Sequence, residues 1–197
     1  ADLIRGKGIF VLSDEIYSRI VYDGEPVSIA TMEGMKDYTI ILDGFSKTYA
    51  MTGWRIGYGI MHKEIARKVD RLIANSTSNT AAFTQIAAKE ALEGPQTDVD
   101  NMVEEFRRRR DFMVERLNSI DGITCKKPQG AFYVFPNIKG TGLKSEALAD
   151  YLLNEANVAV LDGVSFGEYG EGHLRLSYAT SMENIEEALN RIEKALK

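Results

Sequence analysis

The 197-residue chain carries 24 Lys and Arg against 29 Asp and Glu, a net charge of −5, with 44% hydrophobic and 27% charged residues. That balance is ordinary for a globular protein and argues against nucleic acid or an anionic membrane surface as the main partner. One cysteine, Cys125, excludes an internal disulfide and suits a reducing cytosol, and with two histidines beside it a zinc site is not expected.

The opening residues, "ADLIRGKG", read as the last turn of a helix running into a strand. With no initiating Met and no signal peptide, they predict that a natural N-terminus has been lost and that the chain is part of a longer protein. "GIFVLSDE" is an unbroken apolar run that predicts a buried strand over residues 9–13, of the kind parallel sheets use. A turn, "YDGEP", and a short helix around residues 29–34 lead to a second strand over residues 39–42, and "WRIGYGIM" gives a third. "KEIARKVDRLIAN" is amphipathic, with Ile65, Val69, Leu72 and Ile73 on one face. "AAFTQIAAKEALEG" is a second helix, closed by Gly94-Pro95. A long charged helix follows, its Met102, Val103, Phe106, Met113 and Leu117 at helical spacing. The basic run at residues 107–110 comes after Glu104 and Glu105 and reads as a solvated face of that helix.

After Gly122, short strands ("ITCKK", "GAFYVFP", "VAVLDG", "HLRLSYA") alternate with two helices, the last opening on a capping box of Thr180 with Glu183. The expected fold is α/β: part of a mostly parallel sheet of a large domain over residues 1–98, a linking helix over 99–120, and a smaller α+β domain over 121–197. No apolar run approaches the ~18 residues of a membrane helix, so no membrane partner is expected.

Two of the strands end in polar residues: Asp14 after "IFVLS", and Ser46-Lys47 after "IILDGF". If these strands are parallel neighbours, both ends reach the sheet edge where open α/β sheets bind ligands. Asp14, Tyr17, Ser46, Lys47 and Arg55 could then meet in one pocket. A phosphate wants a bidentate guanidinium, small residues and a hydroxyl, which Arg55, Gly44 and Ser46 can supply. A lysine beside another cation in a partly dry site is a better amine nucleophile. A carboxylate suits the ring nitrogen of an aromatic heterocycle. Phosphate, aldehyde and pyridine ring together describe pyridoxal phosphate.

"SDEIY" followed by "GFSKTYAMTGWRIGYG" resembles the cofactor-binding core of the class I/II aminotransferases, fold-type I enzymes that use pyridoxal phosphate. "GAFYVFP" and "GEGHLRLSYA" resemble strands of that family's small domain, and the similarity runs from about Gly8 to the end. The resemblance implies a Schiff base on Lys47, Asp14 at the pyridinium nitrogen, Tyr17 at the ring's phenolic oxygen, and Ser46 and Arg55 on the phosphate. It also implies that Arg175 takes the substrate α-carboxylate. "TSNT", residues 77–80, resembles a stretch that reaches a partner subunit's cofactor phosphate. Implied with these are a cytoplasmic homodimer, amino-acid and 2-oxo-acid substrates, and ping-pong transfer.

Several features depart from the family. The chain is about half the family's length, "LIANSTSN" offers no arginine where one aspartate-specific subgroup has one, and Asp162 stands where many members have proline. A carbon–sulfur β-lyase, a cyclopropane-forming synthase and the non-catalytic effector domain of a transcription regulator use the same scaffold and are the alternative readings of this resemblance. Trp54 is expected to be packing that fixes the direction of Arg55, and His173 and Phe132 to be packing residues.

Overall fold

The computed structural model describes all residues 1–197, which divide into two compact units, Ala1–Asp100 and Asn101–Lys197. No helix is long and apolar enough to cross a membrane.

The first unit is built on a three-stranded sheet of β1 (Val11–Asp14), β2 (Thr39–Gly44) and β3 (Gly57–Ile60), in that order. β1 runs parallel to β2, with Val11 opposite Thr39 and Asp14 opposite Leu42. β3 returns antiparallel, with Gly44 opposite Gly57. The first strand therefore starts two residues later than the apolar run suggests, because β2 offers no partner before Thr39. It is also not buried: Leu12 is 65% exposed, and Ile60 on β3 is 57% exposed. The predicted short helix becomes two single 3₁₀ turns, Ile29–Thr31 and Lys36–Tyr38. The first residues form hydrogen-bonded turns, with Ile4 and Arg5 N–H both donating to the Ala1 carbonyl.

Two helices complete this unit, α1 (Lys63–Ser76) and α2 (Ala82–Glu93), the second closed by the Gly94 N–H donating to Glu90 O at 2.7 Å. The amphipathic stripe of α1 is uncovered, for Leu72 and Ile73 are both exposed. The small core of the unit is Phe45, Met51 and Ala88, with Tyr49, Ile56 and two further alanines of α2 against it.

The boundary between the units falls within α3 (Thr97–Asn118). In the second unit a sheet of order β4 (Tyr133–Val134), β6 (Leu174–Ser177) and β5 (Leu161–Asp162) is antiparallel throughout. The stretch "ITCKK" contributes only an isolated bridge, Thr124 to Asn137. Helices α4 (Ser145–Ala156) and α5 (Met182–Ala195) bury Leu148, Leu152, Ile185, Leu189 and Ile192, the turn-by-turn stripe of an amphipathic helix pair. The strand residues Leu174 and Leu176 join that core.

Two local readings of the sequence change here. Ser181, not Thr180, caps α5, accepting from Asn184 N–H at 3.2 Å, because Ser181 holds the extended backbone an N-cap needs. In the basic run only Arg108 is strongly exposed, and Arg110 is 1% exposed. The Arg110 guanidinium donates to Asp111 Oδ1 at 2.8 Å and to the Pro128 carbonyl at 2.9 Å, so it ties α3 to the following loop. At the start of α4, Glu171 accepts from both the N–H and the hydroxyl of Ser145, each at 3.0 Å, and from Gly172 N–H. Those donors hold its carboxyl below the usual range.

Candidate functional site

Parallel pairing of β1 with β2 sends both C-terminal ends to one sheet edge, and antiparallel β3 begins at that same edge. Asp14 is the last residue of β1, Ser46 and Lys47 follow the end of β2 at Gly44, and Arg55 comes two residues before β3 starts at Gly57. Tyr17 lies in the turn after β1. Five of the six residues singled out in the sequence thus belong to one edge of the first unit; Arg175 lies on β6 of the second.

The close approach of β2 and β3 at this edge depends on glycine. A Cβ on Gly44 would sit 2.9 Å from the Gly57 Cα and 3.2 Å from the Ile56 carbonyl. From Gly44 the chain enters a tight loop, residues 45–51, whose two apolar ends, Phe45 and Met51, are buried against Ala88. Tyr49 and Met51 N–H both donate to the Phe45 carbonyl. The Tyr49 hydroxyl donates to Gln96 Oε1 at 3.3 Å, and Gln96 in turn donates to the Ala91 and Gly94 carbonyls. Arg19 donates to the same Gln96 oxygen at 3.1 Å. Ser46 and Lys47 are half-buried on a loop pinned at both ends.

Backbone strain lies in that loop, at Ala50, and just beyond it, at Arg55. Ala50 and Arg55, neither a glycine, both have φ of +52°. Left-handed backbone at such residues costs on the order of 1 kcal/mol each and persists only where the surroundings enforce it, most often at functional sites. Arg55 is exposed and donates from one guanidinium nitrogen to the Thr52 carbonyl at 2.7 Å. The carbonyl of Thr52, rather than Trp54, sets its direction. Trp54 is itself exposed and packs on Phe83 with ring centroids 6.5 Å apart. Asp14 accepts from Ile16 N–H at 3.3 Å. Its neighbour Glu15 is engaged by the hydroxyls of Ser13 and Ser28, at 3.0 and 2.6 Å.

A cavity of about 780 Å³ opens beside this loop, lined by Ala50, Trp54, Arg55, Thr77, Asn79 and Thr80 among others. Arg55 and the "TSNT" stretch therefore share a cavity, whereas Lys47, Asp14 and Tyr17 are not among its walls. One pair at the same sheet edge is not evident from motif reading: the Tyr58 hydroxyl donates to Asp43 Oδ2 at 3.2 Å, while Asp43 Oδ1 accepts from Gly44 N–H at 2.7 Å. Burial and the adjacent Asp43 carboxylate push the Tyr58 phenol up to about 12, so it stays a donor at neutral pH. The signal for this pair is the cross-strand register, Asp43 opposite Tyr58, which needs the pairing of β2 with β3 to be known.

In the second unit, β6 alternates between buried Leu174 and Leu176 and a more open face with His173, Arg175 and Ser177. Arg175 lies over two aromatic rings, 4.2 Å from the centroid of Phe166 and 4.7 Å from that of Tyr133. His173 stacks on Phe135 at 5.1 Å with the planes 6° apart, a packing role as its sequence context suggests. Phe132 packs on Phe106 and Tyr133.

The family model described as "Aminotransferase class I and II" matches residues 1–192. An "Aspartate aminotransferase" of Pyrococcus horikoshii is 43% identical over 198 residues, covering 100% of this chain and 50% of that protein. An "Aromatic-amino-acid aminotransferase 2" of Thermococcus litoralis is also 43% identical, covering 100% of this chain and 51% of its own length. The crystal structure of an aromatic aminotransferase from Pyrococcus horikoshii superposes with a TM-score of 0.95 at 41% identity, over 99% of this chain and 52% of that one. The chain spans about half the length of the curated relatives it matches.

Proposed function

The chain belongs to the class I and II aminotransferase family, and from that premise we propose that it is the C-terminal half of a pyridoxal-phosphate-dependent enzyme. That enzyme moves an amino group between an L-amino acid and a 2-oxo acid. The supporting observation is the shared sheet edge: Asp14, Tyr17, Ser46, Lys47 and Arg55 are carried there by the pairing of three strands. In this reading the first unit is part of a larger, mostly parallel cofactor-domain sheet. Residues 121–197 are the small domain, and 99–120 link the two. The working form is a cytoplasmic homodimer.

The donor set fits the cofactor. It offers an amine on a half-buried loop, a carboxylate, a phenol, a hydroxyl and a guanidinium with donors to spare beyond Thr52. Gly53, two residues before Arg55, has nothing within 4 Å of where a side chain would start, so a ligand can come close to the backbone. Bound pyridoxal phosphate supplies a carbonyl that takes the amino group and a ring that spreads the electron pair left on the substrate α-carbon.

The residues have separable roles. The Nζ of Lys47 would hold the cofactor, and its free amine would take the proton from the substrate α-carbon as a base and give it back as an acid. The carboxylate of Asp14 keeps the ring nitrogen protonated by charge pairing. Tyr17 donates to the phenolic oxygen, Ser46 and Arg55 hold the phosphate, and Arg175 receives the substrate α-carboxylate through paired N–H donors. Two of the relatives act, by name, on aspartate and on aromatic amino acids.

Initial rates with varied donor and acceptor concentrations test the reading in the complete protein. Parallel double-reciprocal lines, with activity lost in Lys47→Ala, are expected. Intersecting lines, or a Lys47→Ala variant with full turnover, would contradict it.

A further inference from the structure

Arg175 is half-buried, yet no carboxylate of the chain lies within ion-pair distance of it, and its guanidinium lies over two aromatic rings. An arginine in that setting is either idle or prepared for an incoming anion. The architecture around it favours the second. Phe166, the nearer ring, belongs to no strand; it ends the 3₁₀ turn Gly163–Phe166 and is 49% exposed. A half-exposed phenylalanine on a turn would ordinarily be free to reorient.

Three restraints prevent that. Asp162 caps the turn twice, accepting from the Ser165 N–H at 2.9 Å and from its hydroxyl at 2.8 Å. The Gly163 N–H donates to the His173 carbonyl at 2.9 Å, which ties the turn to the chain two residues before Arg175. Phe135 meets the Phe166 ring edge-on, with centroids 6.2 Å apart and planes at 86°. The turn, the strand and the ring cluster thus place one aromatic face where the guanidinium lies. The two bonds from Ser165 to Asp162 make the turn rigid by capping.

We propose that Phe166, with Tyr133, is a positioning residue that fixes the plane of the Arg175 guanidinium for a substrate carboxylate, and that the Asp162-capped turn exists to hold Phe166 there. The proposal rests on the carboxylate role assigned to Arg175 above. Its physical basis is that aromatic rings cover the weakly hydrated face of a guanidinium without using its N–H donors. The donor edge then stays available and preset for a coplanar carboxylate, which lowers the ordering cost of binding.

The test compares Phe166→Leu, Phe166→Met, Phe166→Tyr and Arg175→Lys in the holoenzyme. The readouts are kcat, the KM for the amino donor, the Kd for 3-phenylpropanoate (a carboxylate without an amino group) and Tm. Loss of the ring is expected to raise KM and Kd together by about fivefold to tenfold, the scale of a partly desolvated cation–π contact. With kcat held within about twofold and Tm little changed, Phe166→Tyr should restore both constants, since it keeps the ring. Unchanged KM and Kd in the leucine and methionine variants, with Arg175→Lys impaired, would overturn the role of Phe166 and leave that of Arg175 standing. A fall in Tm and kcat without a change in KM would show a merely structural ring and also overturn it. Normal carboxylate binding in Arg175→Lys would remove the reading on which the proposal stands.

Discussion

Replacing Gly163 by alanine probes how tightly the turn beneath Arg175 is built. A Cβ at Gly163 would lie 2.0 Å from the Gly170 carbonyl oxygen and 2.7 Å from that of His173. Both obstacles are backbone atoms, and the opposite approach, a Cβ on Gly170, would meet the Gly163 carbonyl at 1.9 Å. Relief requires the two segments to part by about an ångström, which overpacking of a closed site prices at roughly 1–3 kcal/mol. That movement breaks the bond between them, Gly163 N–H to His173 O at 2.9 Å. A lost hydrogen bond adds about 1 kcal/mol, for a total of about 2–4 kcal/mol. In a unit of about a hundred residues this lowers Tm by roughly 10–25 °C. Thermal unfolding followed by circular dichroism measures it, with Gly53→Ala as the control because nothing lies within 4 Å of that position. A Gly163→Ala protein melting within about 2 °C of wild type would refute the close backbone contact, since that shift is under 1 kcal/mol.

Leu189 on α5 is fully buried, so Leu189→Ala should cost about 2–5 kcal/mol in urea unfolding. Glu171 has a folded pKa below its unfolded value, so its stabilising effect is complete above the usual carboxylate range and fades as pH falls through the lowered value. The stability gap between wild type and Glu171→Gln should therefore be widest near neutral pH and close in acid; a gap constant with pH would contradict the capping of α4. Burial pushes the Cys125 thiol up to about 11, so a disulfide reagent at neutral pH should label it slowly in the native protein and readily once unfolded.

What could be read in the sequence followed local pattern. The helix at Lys63–Ser76 declared itself by apolar spacing, that at Ala82–Glu93 by its terminating glycine, and that at Met182–Ala195 by a hydroxyl cap. That Asp14, Lys47 and Arg55 fall at strand ends on one sheet edge was legible because chemistry-bearing residues there interrupt apolar runs. What escaped depends on partners remote in the chain. Where β1 begins is set by where β2 begins, and residues 123–127 lose their strand because only Thr124 finds a bridge. Arg110 looks like its charged neighbours until α3 turns it toward Pro128. Thr180 and Ser181 are both competent caps, and backbone angles alone choose between them. Phe166 and Arg175 are nine residues apart on a turn and a strand, so no periodicity announces that they touch.

The central claim is that Lys47 carries the cofactor. Borohydride reduction of the complete protein in the presence of pyridoxal phosphate, followed by peptide mapping, tests it most directly. A pyridoxyl mass concentrated on the peptide containing Lys47 is the predicted result. Labelling of Lys47 no greater than that of scattered surface lysines would contradict the assignment, and with it the roles of Asp14 and Arg55 beside it.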